Sequence, residues 1–287
     1  MILNKIIDVH VHICPPEIRN NRKQFFEGEP EFANIYKDPR ANLVGCSELI
    51  ENMDKENVAV SVVFGMPWRK EKNYILNNDY VIESAKRFPE RLIPFATFDA
   101  YNTNALKEAD RCFSKGAKGL GELAFYIDGL DKSALKALYP IADLCKEAKS
   151  FILLHTNESV GHFYPGKSPM TLIQLYNLIK AYPENRWILA HLGGGLPFYG
   201  FMKKEVKHVL SNCWFDTAAM PFLYTANALR AMSDAMGIEK FLFGTDYPLL
   251  PPSRYKKELF KSKLNQSEID MLLFQNAKKI IDSFSLV

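Results

Sequence analysis

The sequence is poor in the features that sort a protein quickly. It has five cysteines, at 14, 46, 112, 145 and 213, an odd number with no CxxC pairing. That argues against a secreted disulfide framework and for a reducing compartment. No apolar run is long enough to cross a bilayer. The first residues, Met1 to His12, carry Lys5 and Asp8 and run straight into a strand pattern, with no signal-peptide core and no small-residue cleavage site. Charge of one sign is also scarce. Thirty-six Lys and Arg stand among 33 Asp and Glu, for a net charge of +3. No block of them reads as a nucleic-acid footprint or a membrane-binding patch. There is no internal repeat and no low-complexity segment. The expectation is a cytoplasmic globular protein with a small-molecule substrate, and neither nucleic acid nor membrane as a partner.

What is present is a regular alternation. Strand-like runs appear at Ile6–His12, Val58–Gly65, Leu92–Phe98, Ala117–Phe125, Phe151–Asn157, Trp187–Gly193, Cys213–Ala219 and Phe241–Asp246. Most are too apolar for a half-solvated antiparallel sheet, so they read as strands covered by helices. Helical patterns fill the gaps. Ser47 is a cap before Leu49, Ile50 and Met53; Asn73–Phe88 and Ala105–Ser114 share the periodicity; Pro140 should break Asp131–Lys149 in two. Ser168-Pro169 should open the next helix, Gly237 should end Thr225–Met236, and Ser267 should cap the last. Eight strands with interleaved helices predict one α/β domain over 1–287, a closed (β/α)8 TIM barrel. The competing open doubly wound sheet usually shows a glycine-rich phosphate loop after its first strand, where this chain has Cys14-Pro15-Pro16. The stretch Ile13–Gly45 has no obvious element and reads as a lid, a binding loop or a solvated insertion.

The histidines are few and unevenly placed. Of six, four fall at predicted strand ends: His10, His12, His155 and His191. His10 and His12 are two apart on a strand and so share a face. Alone, the pair fits two hydrogen-bonded side chains as well as it fits a metal site. Four histidines at the C-terminal face, where barrel enzymes keep their active sites, are hard to explain as core packing. Neutral imidazole suits zinc, iron and nickel. His162 falls in a loop that could line the mouth, and His208 on a helix surface.

Two carboxylates extend the pattern. Asp246 ends the apolar run Phe241-Leu-Phe-Gly-Thr-Asp, where an unpaired carboxylate is costly. Metal contact outranks a cap on the turn at Tyr247-Pro248. Glu122 lies in Gly119-Leu-Gly-Glu-Leu, as a metal contact or one half of a salt bridge. Asp8, on the face of His10 and His12, either orients a ligand or pairs with a buried polar group. Gly193-Gly194-Gly195 reads as a flexible turn giving a substrate room. Trp68, Arg69, Phe125, Tyr126 and Arg254 are candidate substrate contacts from the strand-to-helix loops.

Ile7-Asp8-Val9-His10-Val11-His12 resembles the opening of the metal-dependent amidohydrolase superfamily. His155, His191 and Asp246 match its later ligand strands in order, and Asn276-Ala277-Lys278-Lys279-Ile280-Ile281 is similar to its closing motif. The length and the Gly-Thr-Asp-Tyr-Pro segment resemble the branch called amidohydrolase 2, which includes hydrolases and aminocarboxymuconate-semialdehyde decarboxylase-like enzymes. The resemblance implies a divalent metal cofactor, zinc first and manganese or iron after it, as one ion or two. With one ion, His10, His12, His155 and Asp246 would hold it and His191 would act on water or substrate. With two, Glu122 would bridge, and His155 and His191 would hold the second. Many relatives have a carboxylated lysine on the fourth strand; Glu122 there is similar to the TatD-type deoxyribonucleases. By analogy with relatives, a homodimer is possible.

Three functions are then in play. The first is hydrolysis of an amide, lactone or ester by metal-activated water, with Asp246 and His191 as catalytic residues. The second is non-oxidative decarboxylation of an aromatic or enoic acid, with His191 as proton shuttle and Arg69 or Arg254 meeting carboxylates. The third is a barrel without catalysis, which a complete set of ligand positions disfavours.

Overall fold

A computed structural model describes residues 5–284. Eight parallel strands stand side by side in sequence order: β1 Ile6–His12, β2 Val58–Phe64, β3 Leu92–Ala96, β4 Gly119–Leu123, β5 Phe151–Leu154, β6 Arg186–Leu189, β7 Cys213–Asp216 and β8 Phe241–Leu242. The sheet curls until its ends meet. Val9 N–H donates to Phe243 O at 2.9 Å, Asp246 N–H to His10 O at 3.0 Å and His12 N–H to Tyr247 O at 2.8 Å. With helices between the strands, this is the expected (β/α)8 barrel.

Two apolar clusters account for its stability. On β5, Ile152 and Leu154 join the larger cluster, which holds helix residues such as Leu49, Val81, Leu138 and Leu175. Phe151 and Leu153 join the smaller one, with Ile7, Val62, Phe95, Ile188 and Leu242. The period of two in a strand therefore separates the outside of the barrel, against helices, from its inside. Ala277 and Ile280, from the last helix Asn276–Ser283, pack into the smaller cluster. Asn276 ties that helix to the barrel by donating to Phe241 O and Ile238 O. Each buried aliphatic or aromatic side chain contributes about 1.5–3 kcal/mol.

The strands after the first end earlier than the apolar runs suggest. β6 stops at Leu189, not Gly193, and β8 at Leu242, not Asp246. Hydrophobicity continues because the departing chain is still buried, but its backbone has turned out of the ladder. His191, at φ 55°, and Asp246, at φ 64°, are left-handed. Gly193, Gly194 and Gly195 are likewise left-handed and buried, and a Cβ on Gly194 would lie 2.4 Å from Asn157 O. The triplet is thus a packed turn, not the flexible one expected.

Several helix boundaries also differ. Pro140 lies inside one continuous helix, Lys132–Glu147, on its exposed face, where a missing backbone hydrogen bond is least costly. Ser168 caps nothing; it is buried, with its hydroxyl donating to Phe125 O. Thr171 caps the helix Leu172–Ala181 instead, in a reciprocal box with Gln174. Asn265 replaces Ser267 as the cap of Gln266–Asp270, and Gly45 stands where Ser47 was expected, before Cys46–Glu56. Gly237 does end Ala226–Met236, at φ 96°. The stretch from 13 to 45 holds the short helices Pro16–Asn20 and Pro30–Tyr36. All five cysteines are buried and free. Among the described residues no helix is long and apolar enough to cross a membrane.

Candidate metal centre

The C-terminal ends of β1, β4, β5 and the turns after β6 and β8 bring six side chains together. His10 and His12 face inward from β1, with ring centroids 5.4 Å apart. His191 lies 5.3 Å from His10 and 4.9 Å from His155. Three of the rings are held by the same device. His10 Nδ1 donates to Asp216 Oδ2 at 2.9 Å, His12 Nδ1 to Gly65 O at 2.9 Å, and His191 Nδ1 to Ala218 O at 3.0 Å. Each acceptor keeps a proton on Nδ1, so that in the neutral form of the ring the Nε2 lone pair points into the centre.

The carboxylates complete it. Glu122 Oε1 lies 2.9 Å from His155 Nδ1, 3.4 Å from His191 Nε2 and 3.7 Å from His10 Nε2. Asp246 Oδ1 lies 3.3 Å from His12 Nε2 and 3.6 Å from His10 Nε2. The turn at Tyr247 is closed by Thr245 Oγ1, which accepts the Tyr247 N–H, so Asp246 is free to face the histidines. Glu122 reaches its place because Gly121, at φ 135°, packs against the neighbouring strand; a Cβ there would meet Leu153 O at 2.3 Å.

Electrostatics follow from burial and proximity. Burial opposes charge on His10, but the carboxylates of Asp216 and Glu122 outweigh it and raise its pKa to about 10. Burial likewise opposes charge on Glu122, yet His155 and His10 hold its carboxyl well below the usual range. The middle of the cluster is a place that favours positive charge.

The residues present fit a divalent cation. His10 Nε2 and His155 Nε2 are buried without any hydrogen-bond partner, and a buried nitrogen left so is costly unless something binds it. Three trios of donor atoms lie within 4.8 Å of one another: His10, His12 and Glu122; His10, His191 and Asp246; Glu122, His155 and His191. Nitrogen and carboxylate oxygen donors suit zinc, manganese or iron.

Of the two readings of Asp8, pairing with a buried polar group is the one the structure shows, and Asp216 orients the ligand. Asp8 accepts from Thr245 Oγ1 and from the Thr245 and His10 N–H groups, so it ties β1 to the segment after β8. Asp216, fully buried, orients His10 and accepts from His191 N–H and Ala218 N–H as well. It was missed, although Cys213-Trp-Phe-Asp216 ends an apolar strand on a carboxylate, the signal that drew attention to Asp246.

Above the centre opens a cavity of about 680 Å³. Tyr126 and His162 line it, as do Ile35, Tyr36 and Asn42 from the stretch before β2. The other candidate substrate contacts lie elsewhere. Trp68 is buried, its ring nitrogen donating to Asn77 Oδ1 and its face 4.3 Å from Phe32. Arg69 is paired with Glu31, and with Phe125 it lines a second cavity of about 310 Å³, which Tyr126 also borders. Arg254 is exposed, on the turn Pro252–Tyr255. Loop direction, which spacing does not encode, keeps these four out of the larger cavity. His208 is exposed, as expected.

Fold and site together define a (β/α)8 barrel with a histidine–carboxylate centre at the C-terminal ends of its strands. A family model described as Amidohydrolase matches residues 7–282, and the chain belongs to that family. It is 20% identical to the 2-amino-3-carboxymuconate-6-semialdehyde decarboxylase of Dictyostelium discoideum, over 84% of this chain and 81% of that one. Its fold is similar to that of 5-carboxyvanillate decarboxylase from Sphingomonas paucimobilis, with a TM-score of 0.75 at 14% identity, covering 97% of this chain and 99% of the other. It is also similar to a dihydroxybenzoic acid decarboxylase from Polaromonas sp. JS666, solved with manganese and the inhibitor 2-nitroresorcinol, with a TM-score of 0.70 at 15% identity and 97% of each chain covered.

Proposed function

We propose that this chain is a metal-dependent decarboxylase acting on a small aromatic or enoic carboxylic acid. The observation that carries the reading is a histidine–carboxylate centre on a cavity floor in a chain whose relatives described above are decarboxylases by name. Hydrolysis, put first from the sequence, takes second place for that reason.

His10, His12, His155 and Asp246 would hold the cation, and Glu122 sits where it would serve a second ion with His155 and His191. When bound, the cation supplies positive charge that draws in and polarises the substrate carboxylate. Manganese in the Polaromonas enzyme supports manganese beside zinc or iron as the resident metal.

The chain's own residues do the rest. Ile35, Met66 and Leu223 line the walls. They exclude water and make a carboxylate easier to lose as neutral carbon dioxide. His191, with Nδ1 committed to Ala218 O, presents Nε2 to the cavity. As the imidazolium, which burial opposes but Glu122 and Asp246 favour, it delivers its Nε2 proton to the carbon that bears the carboxylate and is left neutral. The bond to the carboxylate then breaks, its electron pair returns to the unsaturated system, and carbon dioxide leaves. Acid anion and proton become the hydrogen-substituted product and carbon dioxide, with no oxidant and no water consumed.

The test is a panel of aromatic and enoic acids, lactones and amides offered to the metal-loaded protein in oxygen-labelled water. Carbon dioxide release with no solvent oxygen in the organic product is the expected result. Cleavage of a lactone or amide with label incorporated, and no acid decarboxylated, overturns the reading in favour of hydrolysis.

A further inference from the structure

The walls of the large cavity carry a charge pattern that the centre does not need. Among the described residues no lysine or arginine lines it. Outside the centre and the exposed imidazole of His162, Glu158 is the one charged side chain in the lining. Its carboxylate is held in place: Oε1 accepts from Lys167 Nζ at 2.9 Å and Oε2 from Tyr164 O–H at 3.0 Å. Lys167 is spent on this pair and on the carbonyls of Val160 and His162. Both partners are mostly buried, with 12% and 13% of their side chains exposed. The cation of the pair is thus turned into the loop, and the anion faces the cavity.

Most of the rest of the wall is apolar, with Asn42, Tyr36 and Tyr126 as its uncharged polar members. Ile35, Met66 and Leu223 stand below, and at the rim Val160, Phe222 and Leu249 are 74%, 61% and 54% exposed. Large apolar side chains left in water around one opening mark a surface that meets an apolar ligand. The volume, about 680 Å³, falls among cavities that take drug-sized ligands, about 300–1,000 Å³.

Resting on the decarboxylase reading, we propose that the substrate bears a single carboxylate on an uncharged, apolar body reaching the cavity mouth, and that Glu158 excludes acids with a second carboxylate. A second carboxylate would leave water for a wall with no cation to meet it and an anion nearby, and like charges set together in a desolvated site are costly. The substrates named for the Dictyostelium and Sphingomonas relatives, a carboxymuconate semialdehyde and a carboxyvanillate, carry two carboxylates; that of the Polaromonas relative carries one. This chain sides with the latter.

Calorimetric binding to the manganese-loaded protein tests this without turnover. The probes are benzoate, a biphenyl monocarboxylate, and the biphenyl dicarboxylate with a carboxylate at each end, all at one mildly alkaline pH. The biphenyl monoacid should bind at least about tenfold more tightly than either of the others, a gap of about 1.4 kcal/mol. Equal or tighter binding of the diacid overturns the proposal, and benzoate binding as well as the biphenyl monoacid overturns its apolar-body part. Glu158→Gln, which frees the Lys167 ammonium, should raise the ratio of diacid to monoacid affinity about tenfold or more; an unchanged ratio removes Glu158 from the account. Should that variant fail to fold, Leu223→Arg adds a cation to the same wall and should move the ratio the same way. If the monoacid preference holds while no acid is decarboxylated, the specificity stands and the proposed reaction falls.

Discussion

Asp216 Oδ2 lies 2.9 Å from His10 Nδ1, and both side chains are fully buried. The same carboxylate accepts the N–H of His191. One residue behind the cluster therefore fixes the ring of His10 and the backbone of His191. Asp216→Asn should fold, by its circular dichroism, and lose metal affinity about 10–100-fold, as changes behind a ligand do. Competition against a chromophoric chelator reads this directly. Wild-type affinity in the variant would mean that Asp216 serves only packing.

Metal removal should lower the melting temperature. A ligand present at 100 times its Kd stabilises the native state by about 2.7 kcal/mol. Differential scanning calorimetry before and after chelation, with manganese or zinc added back, should show a loss and a recovery. His10→Ala with His12→Ala should abolish the recovery. A chelated protein that melts unchanged would deny the cluster a bound ion.

His191→Ala separates the one-ion from the two-ion arrangement. Turnover of any acid found to react should drop about 10²–10⁴-fold, the usual worth of a positioned proton donor. With one ion, metal content by elemental analysis should stay near one equivalent. A fall from two equivalents to one would make His191 a ligand. Full activity in the variant would exclude it as the proton donor.

Gly121→Ala should destabilise well beyond Gly116→Ala. Both glycines have φ values that side chains rarely adopt, but only Gly121 has a neighbour, Leu153 O, at 2.3 Å from an added Cβ. Backbone strain alone costs about 1–3 kcal/mol, and Gly121 should add a clash to it. Urea midpoints of the two variants give the comparison; equal losses would contradict the close approach.

Ser61→Ala should be neutral or stabilising by up to about 1 kcal/mol. The Ser61 hydroxyl is buried on β2 without a partner, and replacing such a group by an apolar one removes its desolvation cost. A loss of more than about 1 kcal/mol in chemical denaturation would reveal a bonded water at that position.

The barrel was legible in the sequence because its signals are local. Eight apolar runs, spaced by amphipathic helices, admit few other architectures, and β1 was bounded to the residue. The other strand ends were overrun because burial outlasts pairing: Ala190, His191 and Leu192 stay buried after β6 has left the ladder. The cluster of His10, His12, His155, His191, Glu122 and Asp246 was visible as polar residues closing apolar runs. Asp216 met the same test, closing Cys213-Trp-Phe, and went unremarked. The cavity walls were least legible. Arg69 and Tyr126 both follow strands, and only the path of each loop decides that one side chain pairs with Glu31 while the other overlooks the centre.

The left-handed residues after β6 and β8 divide the centre into two kinds of ground. His10 and His12 belong to a strand bonded on both edges, and they can shift only if the barrel shifts. His191 rides on a bend after β6 and Asp246 on a bend whose N–H is tied to His10 O, and both are joined to loops that also supply the cavity walls. Variants of this chain could thus reshape the cavity walls by redrawing those loops, while the two histidines on the first strand kept their places.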